Sequence, residues 1–436
     1  MMQLKKYFCL SLLGLALACT PKIESEEFSL GEVDPTSYVA IGGANTAGYS
    51  DDALHFRGQQ NSFVSIIATQ LNQVQNIPFS SPLLSEFSSG INLNGDSRLI
   101  LGYKTDCNNE TSLSPVRFSA SGDGNALTNV FSDGPFNNIG VPFMKAIDVN
   151  TAGYSNPFYA RIASNPASSS ILQDVQALNP TFFTIQLGEH DLMEYALSGG
   201  TASTPTPVNG ASGVGFDGSL NEVVQTITSS GAKGAISNIP DILNYPYFTT
   251  VPYNGLTLDA ANAQSLNNVF NPLGISFQEG ENAFTVEDPN EPFGVRKLVE
   301  GELILLSIPL DSVKCNGMGS IVPIPHEYVL TLDEVNIINN ARTGYNSAIL
   351  NTAQQYNLAF VDASTFYNSL NTGIVYNGVS LDAEFVTGGF FSLDGRNLNP
   401  IGHALLANEF IKATNDKYNS RIPLANATSY PGVIFP

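Results

Sequence analysis

Apolar residues fall into short unbroken runs, separated by stretches in which they recur every three or four positions. Tyr38-Val39-Ala40-Ile41 is one such run, closed by Gly42-Gly43 and followed by helix-like spacing over 62–75. Phe182-Phe183-Thr184-Ile185-Gln186-Leu187 is another, closed by Gly188. Helical spacing over 220–229, with Leu220, Val223, Val224 and Ile227, leads into a third run over 234–239. Thr331 with Glu334 three residues on forms a capping box. It opens a long helix through Val335, Ile338, Ala341, Tyr345 and Ile349, before the run Leu358-Ala359-Phe360-Val361-Asp362. Asn399-Pro400, a cap and first-turn pair, starts a last helix that reaches about residue 417.

Strands that are apolar at nearly every position, alternating with amphipathic helices, predict a parallel sheet covered on both faces. The expected fold is α/β, a three-layer α/β/α sandwich. Ligands in such sheets meet the carboxyl ends of the strands, so the turns after Ile41, Leu187 and Ile239 are where chemistry is expected. Residues 76–135 and 244–330 are rich in Pro, Gly, Ser and Asn and predict two loop-rich insertions over the site. Residues 198–215 predict a loop, and no internal repeat is evident.

Composition narrows the possible partners. The chain has 436 residues of which 43% are apolar, enough for a core and against wholesale disorder. Eighteen Lys and Arg against 39 Asp and Glu leave a net charge of −21. Such a chain repels phosphate backbones, which excludes nucleic acid as a partner. Lys5-Lys6, an apolar stretch over 7–17 and the small Ala18 predict a secretory signal over 1–18. That stretch is too short to span a bilayer. Ala16-Leu17-Ala18-Cys19 resembles the lipobox of bacterial lipoproteins. The resemblance implies a lipid on Cys19 and anchoring in the bacterial outer membrane, facing the periplasm or the cell surface. An ordinary cleaved signal is the alternative. Residues 19–34, with Glu24, Glu26 and Glu27, then form an acidic tether ahead of a domain over 35–425 and a tail over 426–436. Beyond the anchor, Cys107 and Cys315 remain, and a disulfide and two free thiols are both open.

Several blocks carry a family likeness. Val39 to Tyr49, with Gly42-Gly43-Ala44-Asn45-Thr46-Ala47-Gly48, resembles the first block of SGNH (GDSL) esterases and lipases, a strand ending in a Gly-Asp-Ser-Leu or Gly-Asn-Ser-Leu turn. Gly134 to Pro142 resembles the second block, and Phe182 to Gly200, around Gly188-Glu189-His190-Asp191, the third. Ser392-Leu393-Asp394-Gly395 and Pro400 to Ile411 resemble the last, which carries an Asp-x-x-His. The blocks follow in the family's order and cover about residues 35–425. The resemblance implies an SGNH-hydrolase, flavodoxin-like fold.

The family reaction needs a Ser nucleophile, a His base oriented by the Asp, and an oxyanion hole of backbone N–H groups and an Asn side chain. Aligned on the flanking residues, the nucleophile position is Ala44, the oxyanion Gly is Phe143, the Asn is His190 and the base is Asn397. Only Asp394 keeps the family's residue. Loss of nucleophile or base costs about 10⁶-fold in kcat. The resemblance therefore implies the fold without its ester chemistry. The expected role is binding of an acyl or glycan ligand, at a mouth lined by Asn45, Phe143, His190 and Asn397, or of another envelope protein. The alternative is an ester hydrolase with an unrecognised nucleophile. Thr46 and Ser50 are expected to be structural hydroxyls, and His403 a packing or capping residue. His55 follows Asp51-Asp52, which reads as a solvated turn, and His326 has no partner at metal-ligand spacing. No cofactor or metal is expected, and 42–48 lacks the Lys of a phosphate loop.

Overall fold

Near-continuous apolar runs form strands that are buried on both faces. The computed structural model describes residues 27–436, so the signal and Cys19 lie outside the described residues. Five parallel strands make the central sheet: β1 (Tyr38–Gly42), β2 (Asn138–Gly140), β3 (Phe182–Gln186), β4 (Lys233–Ser237) and β5 (Ala359–Val361). Their order is β2-β1-β3-β4-β5. Every residue of β1 and β3 is buried, which is why neither sequence alternates. Register places Ile41 beside Ile139 on one side and Ile185 on the other.

Six helices matter here: α1 (Ala44–Ala47), α2 (Phe63–Asn72), α3 (Glu189–Leu197), α4 (Phe216–Thr228), α5 (Leu332–Gln355) and α6 (Pro400–Tyr418). Two groups flank the sheet. In one, α2 packs on α6, with Phe63 stacked on Phe410 at 4.9 Å. In the other, α5 packs on α3 and α4, with Phe216 stacked on Tyr345 at 4.3 Å. The Thr331–Glu334 capping box starts α5. Asn399 caps α6 by accepting the Gly402 N–H at 2.9 Å. His403 is therefore a packing residue: it is fully buried, neither ring nitrogen has a partner, and burial pushes its pKa down to about 3.

The insertions differ from expectation. The first, over 76–135, holds a long hairpin pairing Leu99–Thr105 with Thr111–Arg117. The second, over 244–330, is more ordered than its composition predicts. Its helix Ala260–Phe270 is capped by Asp259, and apolar clusters form around Phe284, Val286 and Ile324 and around Leu266, Phe270 and Phe277. A Cys107–Cys315 disulfide joins the two insertions. Lys314–Asp106 at 3.0 Å and Lys104–Asp311 at 3.2 Å flank it. The domain also begins earlier than residue 35. Ser29 bridges to Arg421, and the Glu32 N–H donates to the Tyr418 carbonyl at 2.9 Å. Among the described residues no helix is long and apolar enough to cross a membrane.

Candidate functional site

The strand order has one switch point, between β1 and β3, whose connections leave toward opposite edges of the sheet. A crevice opens outside the carboxyl ends of two such strands. Gly43, Ala44 and Asn45 arrive from β1, and Gly188, Glu189 and His190 from β3. Phe143, from the turn after β2, and Arg396 with Asn397, from the turn before α6, complete the wall. The structure thus gathers Ala44, Asn45, Phe143, His190 and Asn397 around one pocket. The turn after Ile239 does not line it. Neither insertion lines it either, although Tyr245 reaches Glu189 from outside the lining.

Phe143 decides how much room is left. Its φ is +65°, a left-handed backbone that favours glycine and costs a larger residue about 1–2 kcal/mol. The ring offsets this by edge contacts with Tyr49 at 5.2 Å and His190 at 5.5 Å, and a tilted contact with Phe158 at 5.9 Å. With the ring in place the pocket holds about 50 Å³. That is room for a few waters or a group the size of an acetyl.

Asp394 is not idle. Its Oδ1 accepts the N–H groups of Arg396 at 3.0 Å and Asn397 at 2.8 Å. Its Oδ2 accepts the Asp52 N–H at 2.9 Å and the Asn397 Nδ2 at 2.9 Å. Burial opposes its charge, but the Arg396 guanidinium and these donors outweigh burial and hold the carboxyl below its usual value. Asn397 therefore spends its amide N–H on Asp394, in a contact that needs no proton transfer.

Two polar residues of the lining, Glu189 and Gln186, were not legible as site residues. Glu189, in the first turn of α3, accepts from Asn45 Nδ2 at 3.3 Å and from the Tyr245 hydroxyl at 3.2 Å. Burial raises its carboxyl to about 7, with those two hydrogen bonds pulling the other way. Asn45 Oδ1 and Gln186 Nε2 are buried and have no partner. His190 is neutral at pH 7, since burial lowers it to about 4. The sequence signal for Glu189 was its place directly after the Gly188 turn at a strand's carboxyl end.

Glu189 yields a pH prediction. A carboxyl raised in the folded state binds its proton more tightly there. Its penalty on stability is absent below about 4.5, the ordinary glutamate value, and grows until the pH passes about 7. Glu189→Gln mimics the protonated carboxyl, keeping one acceptor oxygen and placing a donor where the second oxygen stood, and removes the titration. In urea unfolding the variant should be more stable than wild type by roughly 1–3 kcal/mol at pH 8, with little difference at pH 4.5. An equal difference at both pH values would refute the assignment.

A second cluster has the residue types of a triad and not its geometry. Ser50 Oγ lies 3.0 Å from His55 Nε2, and Asp51 Oδ2 lies 3.6 Å from the same nitrogen. Nδ1 accepts the Gly58 N–H, so His55 caps the helix Phe56–Gln60 and the ring proton sits on Nε2. Burial lowers His55 to about 3. Nε2 has no lone pair with which to take a proton from Ser50. The expected solvated turn at Asp51-Asp52 is also corrected. Asp51 Oδ1 accepts the Leu393 N–H at 3.0 Å, and Asp52 pairs with Arg117 and Arg396, both at 2.7 Å. Thr46 is buried with no partner for its hydroxyl and does not line the pocket. His326 pairs with Glu334 at 2.8 Å. Among the described residues no His, Cys, Asp or Glu group could hold a metal ion.

No family model matches the chain, and no curated protein does. Among solved structures it is similar to a protein designated a GDSL-like lipase, from Parabacteroides merdae, at 11% identity and a TM-score of 0.33. The match covers 87% of this chain and 94% of that one. A superposition that loose settles neither ancestry nor chemistry, and the α/β fold stands on the strands described above.

Proposed function

We propose that the chain is an esterase-fold protein of the cell envelope that has lost ester chemistry and serves in binding. One observation carries this reading. Among the described residues lining the switch-point pocket there is no Ser, Thr, Cys, Lys or Tyr, so nothing there offers a hydroxyl, thiol or amine nucleophile. The base position is an Asn whose amide is spent on Asp394. An acyl chain or sugar needs more than the remaining 50 Å³, because small-molecule sites run to about 300–1,000 Å³. The pocket suits a small polar group, and a protein partner in the envelope fits better than a large ligand held at this mouth. The lipobox-like Ala16-Leu17-Ala18-Cys19 supports the location.

The test is hydrolysis of short-chain nitrophenyl esters together with labelling by a serine-directed fluorophosphonate. Wild type should be inert and unlabelled. A variant with Ala44→Ser, Phe143→Gly, His190→Asn and Asn397→His serves as the control and is expected to gain turnover. Labelled wild type with turnover would overturn the reading and identify the nucleophile. Cells fed an alkynyl fatty acid should label the full chain, and Cys19→Ser should remove that label.

A further inference from the structure

An opening larger than the switch-point pocket lies elsewhere in the molecule. A cavity of about 370 Å³ lies between the helix Phe56–Gln60, the hairpin strand Leu99–Thr105, the start of α6 and the last residues of the chain. That volume is within the range of small-molecule sites. Most of its wall is apolar, with Leu99, Leu101, Leu393 and Val433 among the contributors.

Two guanidiniums share this wall. Arg57 Nη2 donates to the Gly432 carbonyl at 2.7 Å, and Arg98 Nη1 to the Ser88 carbonyl at 3.2 Å. The Arg98 guanidinium also lies over the Phe118 ring, 4.0 Å from its centre. Among the described residues no carboxylate is in ion-pair contact with either. Arg117, Arg296 and Arg396 face carboxylates directly, on Asp52, Glu302 and Asp52. Arg161, like Arg57 and Arg98, donates to backbone carbonyls, but it is buried and lines no opening of this size. Arg57 and Arg98 are both half-buried and close enough to repel each other. Asp51 and the exposed Glu86 also face the cavity, and Asp51 offsets part of the positive charge. The remaining N–H donors of two guanidiniums match the two oxygens of a carboxylate. The apolar wall matches a hydrocarbon, and with the carboxylates of Asp51 and Glu86 on the same wall a ligand with one negative charge fits better than one with two.

We propose that this cavity binds an amphiphilic monocarboxylate, its head between Arg57 and Arg98 and its hydrocarbon chain along Leu99, Leu101, Leu393 and Val433. The site is independent of the switch-point pocket and of any ester chemistry there. Calorimetric titration of the full chain with decanoate, kept below its micelle concentration, tests it. Decanoate should bind, and decanol should bind at least tenfold more weakly. Arg57→Gln and Arg98→Gln should each weaken decanoate by roughly tenfold to a hundredfold. Leu101→Trp, which fills the apolar end and leaves both arginines, should abolish binding and gives a readout should the arginine variants fold poorly. Absence of decanoate binding at millimolar concentration would overturn the proposal. So would equal affinity for decanol, or decanoate affinity unchanged in Arg98→Gln and Leu101→Trp.

Discussion

Replacing Asp394 by alanine should destabilise the protein by about 3–5 kcal/mol, measured by urea unfolding at pH 7. The carboxylate accepts three backbone N–H groups and one amide, and all four donors would lose their acceptor. Arg396, already paired with Asp52, would lose its second negative neighbour. Where an Asp orients a catalytic base, its loss falls mainly on turnover. Under the proposed function, the effect at Asp394 should fall on stability. Asp394→Asn, which keeps the shape and not the charge, should lie between. A loss under about 1 kcal/mol for alanine would mean that the turn does not depend on this carboxylate.

Gly140→Ala should cost roughly 3 kcal/mol, at the upper end for overpacking, because nothing that blocks it can rotate away. A methyl group there would land on the backbone nitrogen and Cα of Ala47 and on the carbonyl carbon of Thr46. Relief requires moving α1, which carries Ala44 and Asn45. The substitution should therefore disturb the pocket as well as the stability, seen as shifted amide resonances for residues 43–48. A neutral effect would mean that α1 slides freely over β2.

The parts legible in the sequence are those whose burial is uniform. β1 and β3 are covered on both faces, so most positions are apolar, and a Gly marks or follows their ends. α5 and α6 announce themselves through caps, since Thr331–Glu334 and Asn399-Pro400 act within one turn. β2 was not legible. It is three residues long, includes the buried Asn138, and exists because β1 offers it a partner 98 residues away at Ala40. The turn at Asp51-Asp52 looked solvated for the same reason: its partners Leu393, Asp394 and Arg396 lie some 340 residues away.

The site was legible through the resemblance alone. Ala44 and Asn397 are ordinary residues, and nothing in their neighbours' spacing singles them out. Phe143 is the position where structure adds most. Its left-handed φ is independent of the alignment that assigns a glycine there. Glu189 escaped notice because its carboxyl is raised by burial in the folded protein, against the pull of hydrogen bonds from Asn45 and from Tyr245, the latter 56 residues along the chain.

The Cys107–Cys315 bond spans 208 residues of sequence and turns the chain, covalently, into a ring with two tails. The ring holds β2, β3 and β4, while β1 leaves by one tail and β5 with α6 by the other. The sheet is thus assembled from both kinds of segment, with a tail strand lying inside it between two strands of the ring. A single cut within the ring separates nothing until the bond is reduced. A cut in either tail has no such tether, and only packing against the ring would keep the severed strand in its place.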